Sequence, residues 1–353
     1  MKILVYGAGV LGSLYAARLH ESGQDVSILA RGQRVATIRE HGAILEDACT
    51  GQRTITRVNV VEQLAPEDAY DWVLVLMHKN QVSAVLPVLA ANSHTPNVLF
   101  MMNNAAGPAE MIQALGYDRV LLGFPGAAGV REGHVVRYIA GRGGRKATAT
   151  IAELDGRTTP RLQQLAKAFE GAGFSVAIER NMDAWLKTHV ALVSPIANAL
   201  YMAGGDNYRL ARTRDAVILM IRAIREGFQV LRALRIPIRP SMLQVFAWIP
   251  EPILAGLLQR LLETEFAEIG IAGHANAARD EMKHLADEFK ALALSTTIPT
   301  PAMDRLYKYL DLTVPPIVPG SAQITMDWRG VWIGLGTLAA LVAVSRLRRH
   351  NRR

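Results

Sequence analysis

Residues 2–30, KILVYGAGVLGSLYAARLHESGQDVSILA, carry the pattern that decides the fold. KILVY is an unbroken apolar run with β-branched and aromatic members, as a strand buried on both faces should be. It meets Gly7, Gly9 and Gly12, spaced G-x-G-x-x-G, and then an apolar helical pattern at Leu11, Tyr15, Ala16 and Leu19. A second strand, DVSILA, follows Gly23. Each glycine has a physical task in such a βαβ unit: Gly7 permits the tight turn, Gly9 lets backbone approach a pyrophosphate, and Gly12 lets helix and strand pack closely. The turn Gly7, Ala8, Gly9, Val10, Leu11, Gly12 therefore reads as a dinucleotide-phosphate site, with the free N–H groups and positive dipole end of the helix aimed at the phosphates.

The second strand ends ILARGQR, where NAD-selective sites place an acid for the ribose hydroxyl. Here Arg31 and Arg34 stand instead, and no acid follows the strand before Arg39 and Glu40. A guanidinium can hold a 2′-phosphate in bidentate fashion, so NADP(H) is the expected cofactor, Arg31 its expected contact. Further strands are expected at 72–77, 98–102 and 120–124, with helices over HKNQVSAVLPVL and AAGPAEMIQAL. Ligands sit beyond the carboxyl ends of strands in an open parallel sheet. Two polar clusters fall at that edge: His78, Lys79 and Gln81, and then Asn103 and Asn104.

The 353 residues suffice for two domains, and half of them are hydrophobic. The single cysteine, Cys49, suits a reducing, cytoplasmic setting, and no signal peptide is expected from the N-terminus. The formal charge is +8, but five arginines lie in the last eight residues, RLRRHNRR, leaving about +3 for the rest. No folded segment shows a basic stripe interleaved with aromatics, which argues against a nucleic-acid partner.

Beyond residue 180 the pattern is helical. In AWLKTHVALVSPIANAL (184–200), Lys187, Ala191, Ser194 and Asn198 share one face, and Leu186, Val190, Val193 and Ala197 cover another. Lys187 heads a narrow polar stripe on an otherwise apolar helix; it either snorkels or faces a ligand. Pro195 should kink this helix. Ile253, Leu254, Leu257, Leu258, Leu261 and Leu262 describe an amphipathic helix, expected to pack. Glu281 and His284 make a single E-x-x-H, too little for a di-metal site, and no metal is expected.

Taken together, these motifs resemble the ketopantoate reductase (2-dehydropantoate 2-reductase) family over roughly residues 1 to 310. GAGVLGSLYAARL resembles its cofactor turn, VLVLMHKNQV its strand-end segment and NNAAG its Asn-Gly-x-Gly loop. IAELDGRTTPRLQQLAKAFEGAGFSV resembles the close of its first domain, AWLKTHVALVSP its W-x-K helix, and PSMLQ its S-S-M-L segment. The resemblance implies an α/β fold: a Rossmann-type doubly wound parallel sheet (1–180), then an all-α substrate domain (181–311) of the 6-phosphogluconate-dehydrogenase C-terminal type. It implies NADPH-dependent reduction of a small 2-oxo acid, with Lys187 as general acid. Asn104, Ser194 and Ser241 would position substrate, Asn104 and His78 would also touch cofactor, and Glu265 of the pair Thr264–Glu265 would assist, with Glu281 as its rival. The chain departs from the family at His78, where a lysine is usual, at Ala191, where an asparagine is usual, and at Ala105, where a glycine is usual. A different carbonyl substrate, or an NADPH sensor without turnover, therefore stands beside ketopantoate.

The C-terminus lies outside that resemblance. LTVPPIVPGSAQ reads as a Pro-rich linker within 312–329, and GVWIGLGTLAALVAVS (330–345) is charge-free ahead of the arginines. Membrane attachment through 330–345 is the expectation; a helix packed on a partner in a homodimer is the alternative.

Overall fold

The computed structural model describes residues 1–142 and 145–332. Eight strands build the main sheet: β1 (Lys2–Tyr6), β2 (Asp25–Leu29), β3 (Asn59–Val61), β4 (Trp72–Val75), β5 (Val98–Met101), β6 (Val120–Phe124), β7 (Thr148–Glu153) and β8 (Ser175–Ile178). Their order is β8-β7-β6-β5-β4-β1-β2-β3. All neighbours are parallel except β6 and β7. The chain reverses its direction of travel across the sheet between β1 and β4, and in doubly wound sheets that switch point is where a crevice opens. β1 and β4 are buried along almost their whole length, as continuous apolar runs under helices on both faces require.

Helix α1 (Val10–Glu21) follows β1, and α2 (Gln33–His41) follows β2. The stretch after β4 is less regular than expected: a single 3-10 turn, Lys79–Gln81, precedes a short α3 (Leu86–Ala91). Pro87 at the start of α3 lacks the N–H that would let the two merge, but fits a first helical turn. The loop after β5 leads to α4 (Ala109–Leu115), and α5 (Pro160–Gly171) joins β7 to β8, capped by Thr159. A second, four-stranded sheet, in the order Arg53–Thr56, Ala43–Asp47, Val135–Ile139, Ala128–Glu132, went unnoticed in the sequence. It lies over α1 closely enough that a Cβ on Gly129 would come within 2.9 Å of Val10 Cγ1.

Helix α6 (Met182–Met202) begins the helical half. Asn181 caps it by accepting from the Ala184 N–H at 3.0 Å. Pro195 lies inside it, and the helix continues seven residues past the proline to Met202. Then come α7 (Asn207–Arg212), α8 (Arg214–Ala233), α9 (Glu251–Leu262), the irregular turns from Glu265 to Ala277, α10 (Arg279–Leu294) and α11 (Pro301–Tyr307). α6 and α8 touch through small residues: a Cβ on Gly227 would sit 3.2 Å from Ala191 Cβ. α9 is half packed, with Leu254 and Leu262 buried and Ile253 and Leu257 exposed.

The Pro-rich stretch is a strap rather than a free tether. Ile317 N–H donates to Met202 O at 3.0 Å, Asp215 accepts from the N–H groups of Gln323 and Ile324, and Arg222 donates to Thr325 O at 2.7 Å. Asp215 is almost fully buried and these donors hold its carboxyl below the usual range although burial alone would raise it. Among the described residues no helix is long and apolar enough to cross a membrane. The expected attachment segment lies outside the described residues from 333 onward.

Candidate active site

The glycine turn has the shape its spacing demands. Gly7 has φ +119°, and a Cβ there would meet Leu76 O, just past β4, at 2.4 Å. A Cβ on Gly12 would fall 1.7 Å from Gly7 O, so α1 rests directly on the turn. Around Gly9 no atom lies within 4 Å of an added Cβ. Gly9 O accepts from Ser13 N–H at 3.0 Å, which leaves the amides of Val10, Leu11 and Gly12 without intrahelical partners. That is an anion cradle at the switch point. Ala8 turns its carbonyl to Arg34 Nε at 3.1 Å, and Arg34 also donates to Ser13 Oγ at 3.0 Å. Burial and the nearby Arg131 lower the pKa of Arg34, as befits crowded guanidiniums that an anion would relieve. Arg31 donates to the Tyr6 hydroxyl at 2.7 Å and remains exposed.

In the helical half, Lys187 is buried and its ammonium is held by both oxygens of Asp183, one turn earlier on α6. A Cβ on Gly107 would lie 3.4 Å from Lys187 Nζ and 3.1 Å from Asp183 Oδ1, so the loop after β5 sits against this pair. Asn104 shapes that loop. It donates to Gly107 O at 2.9 Å and accepts from Gly107 N–H at 3.0 Å, with its side chain buried. The structure thus brings Lys187 and the Asn104 loop together.

His78 and Lys79 point in different directions. Lys79 is buried, with Nζ 3.4 Å from Glu288 and 3.6 Å from Glu110. Glu288 also accepts from the N–H groups of Ala105 and Ala106, tying α10 to the Asn104 loop. His78 faces Glu281, whose Oε1 accepts from Lys79 N–H at 3.1 Å. The other oxygen, Oε2, is buried without a hydrogen-bond partner; His274 Nε2 lies 3.8 Å from it and His78 Nε2 4.0 Å. Burial lowers the His274 pKa, against the pull of Glu281. Glu265, by contrast, is exposed and paired with Arg137 of the small sheet at 2.8 Å. Of the two rival glutamates, Glu281 is therefore the one beside the strand-end loop. Glu265 opens the turns that follow α9, where Arg137 rather than the strand-end loop is its partner.

Ser194 is buried two turns beyond Lys187, where Asn198, Lys290 and Tyr307 line a cavity of about 20 Å³ between α6, α10 and α11. Asn198 Oδ1 there has no hydrogen-bond partner. Ala191, between Lys187 and Ser194, is spent on packing against Gly227, so the polar stripe is interrupted. Ser241 is exposed at the start of a 3-10 turn, Ser241–Ala247. It is tied to α6 through Arg239, whose N–H donates to Thr188 Oγ1 at 3.1 Å.

Comparison with known proteins bears on this arrangement. Residues 3–151, which hold the glycine turn, the strand-end histidine and the Asn104 loop, match the family model "Ketopantoate reductase PanE/ApbA". Over these N-terminal residues the chain is similar to the ketopantoate reductase family. A 2-dehydropantoate 2-reductase of Mesorhizobium japonicum is 26% identical over 215 residues, 53% of this chain and 63% of that protein. One from Aquifex aeolicus is 25% identical over 241 residues, 67% of this chain and 74% of its own length. The chain thus spans somewhat under two thirds of the first of these relatives. Among solved structures, a 2-dehydropantoate 2-reductase from Geobacter metallireducens superposes with a TM-score of 0.71 at 17% identity, covering 88% of this chain and 99% of that one. A D-mandelate dehydrogenase in complex with NADH and anilino(oxo)acetate has the same score at 16% identity, covering 88% and 97%. At these identities the two structures establish the shared fold: a Rossmann-like parallel-sheet domain followed by a helical region.

Several residues at this site carry little signal in the sequence alone. Asp183 was signalled by its i, i+4 spacing to Lys187. Glu288 and His274 had no such local signal, since only the packing of α10 on the strand-end loops brings them in. His189 is a further case: it stacks on Trp185 with centroids 5.3 Å apart and lies 4.3 Å from Phe124. Burial, helped by His274, lowers its pKa to about 4. The unfolded chain binds this proton near pH 6.5 and the folded chain only near 4, so stability falls as pH drops through that window. His189→Gln is expected to flatten the acid side of a pH–Tm curve between about pH 6.5 and 4. An unchanged slope would mean that the imidazole is not enclosed as described.

Proposed function

We propose that this chain is an NADPH-dependent reductase of a small 2-oxo acid, with ketopantoate to pantoate as the leading reaction. The observation that carries the reading is a buried lysine ammonium beside the Asn104 loop, in a chain whose sheet also carries an anion cradle at its switch point. The nicotinamide, when bound, supplies hydride to the carbonyl carbon. The C=O electron pair then moves onto oxygen, and Lys187 stabilises that charge and donates the proton. Asp183 keeps the ammonium in place. Gly7, Ala8, Gly9, Val10, Leu11 and Gly12 would hold the pyrophosphate, and Arg31, with Arg34, the 2′-phosphate. Asn104 shapes the substrate loop, and Ser241 would meet the substrate carboxylate. Glu281, not Glu265, takes the assisting role in this reading because its free oxygen faces the strand-end loop. Residues 1–180 and 181–311 would act as cofactor and substrate halves of a cytoplasmic enzyme, with 330–345 as its membrane attachment.

Relatives named 2-dehydropantoate 2-reductase support ketopantoate as substrate. Ala191 favours a second reading within the same chemistry, because it packs on Gly227 and cannot hydrogen-bond a substrate one turn beyond Lys187. Loss of reduced-nicotinamide absorbance should be followed with ketopantoate and a panel of alkyl and aryl 2-oxo acids. Turnover of ketopantoate well above the panel supports the leading reading, and preference for another member supports the second. Tight NADPH binding without turnover on any of them would sink both.

Cofactor choice has its own test. Arg31→Gln is expected to raise KM for NADPH about tenfold, the loss of one charge-assisted hydrogen bond, and to leave KM for NADH nearly unchanged. Equal effects on both cofactors would remove Arg31 from the 2′-phosphate.

A further inference from the structure

We propose that residues 242–257 together with 325–332 form a membrane-docking shoulder, whose occupant is the interfacial layer of a lipid bilayer. Large apolar side chains in this protein are mostly buried, yet several exposed ones gather here. Met242 is 75% and Trp248 79% exposed beside the 3-10 turn. Ile253 and Leu257 lie one turn apart on the outer face of α9, and Trp328 and Trp332 follow on the strap. These pieces are bound into one surface. Asp327 N–H donates to Glu251 Oε1 at 2.9 Å, and a Cβ on Gly330 would touch Pro250 at 3.3 Å. Arg225 holds the carbonyls of Phe246 at 3.0 Å and Ile249 at 2.5 Å. The hydrogen bonds and contacts join these segments into one face.

Its chemistry fits a bilayer. Tryptophan combines an apolar body with an N–H donor and concentrates at the membrane–water boundary. Arg329, directly after Trp328, is well exposed and paired with Asp327 at 2.8 Å, so the tryptophans stand beside a balanced charge pair. The chain leaves this face at Trp332 into IGLGTLAALVAVS (333–345), which carries no charge, and then into the arginine-rich end. Ser241 opens the same segment, so docking would turn this rim of the helical half toward lipid.

The experiment uses the full chain with vesicles of brominated phosphatidylcholine and phosphatidylglycerol, read by tryptophan fluorescence. Bromine quenches only rings near the acyl boundary. Trp72 is in the core and Trp185 packs on His189 and Phe124, so Trp248, Trp328 and Trp332 would carry the quenching. Trp248→Phe keeps an apolar ring and is expected to remove about a third of the quenchable signal. Equal quenching in the variant and the native chain would overturn the shoulder, since any attachment would then run through other residues. No quenching, with a dimer that Met242→Gln plus Trp248→Gln splits to monomers in sedimentation, would overturn it in favour of a second copy.

Discussion

Lys187→Ala is expected to lower kcat by about 10²- to 10⁴-fold, the range for removing a positioned general acid. KM for NADPH should hold, because the pyrophosphate cradle is built from Gly7, Gly9 and Gly12, none of which Lys187 touches. Stability should hold as well. The carboxylate that Lys187 would abandon, Asp183, is 39% exposed and can return to water, so the lost pair costs at most about 1 kcal/mol. Thermal melting and NADPH titration would confirm that the variant is folded and loaded, and kcat then reads the acid alone. Lys187→Arg sharpens the test. It keeps the positive charge, yet guanidinium is a far weaker acid, so it should recover cofactor and substrate binding but little turnover. A Lys187→Ala enzyme within about threefold of native kcat would leave Lys187 as the charge partner of Asp183 and nothing more.

What was legible beforehand follows a physical line. The Rossmann half could be read because its information is local: an apolar run, three glycines at fixed spacing and a helix pattern sit within 29 consecutive residues. Lys187 stood out for a similar reason, as one charge on an apolar helix. Glu281 could be named only as a rival of Glu265, since its place depends on α10 docking on the loop after β4, where it accepts from Lys79 N–H. Ala191, on the face that Lys187 heads, packs where α8 approaches through Gly227, which the periodicity of α6 alone does not report. Residues 312–327 looked like a linker from their prolines. Their backbone donors and acceptors instead find Met202, Asp215, Arg222 and Glu251, partners more than 75 residues away.

The glycine turn permits a comparison in which three glycines of one motif fail differently. Gly12→Ala places a methyl 1.7 Å from Gly7 O and 2.9 Å from Gly7 C, both backbone atoms that no rotamer change can clear. Helix α1 must lift off β1, a core pairing that holds Leu14, Tyr15 and Leu19 fully buried. The expected cost is about 4 kcal/mol or more, at the severe end for single substitutions, and a Tm drop of roughly 10 °C. Gly7→Ala should be comparably harmful, because φ +119° is strained for alanine and its Cβ would strike Leu76 O at 2.4 Å. Gly9→Ala should behave otherwise. Its φ of −73° suits alanine, and no atom of the protein lies within 4 Å of the new methyl. That space is free only until a pyrophosphate approaches the amides of α1, so the methyl should cost about tenfold or more in NADPH affinity at native Tm. If Gly9→Ala instead bound NADPH as the native chain does, the phosphates would not sit over this turn, however well the motif reads. If it lost stability as Gly12→Ala does, the open space above Gly9 would be needed by the fold itself rather than kept for a ligand.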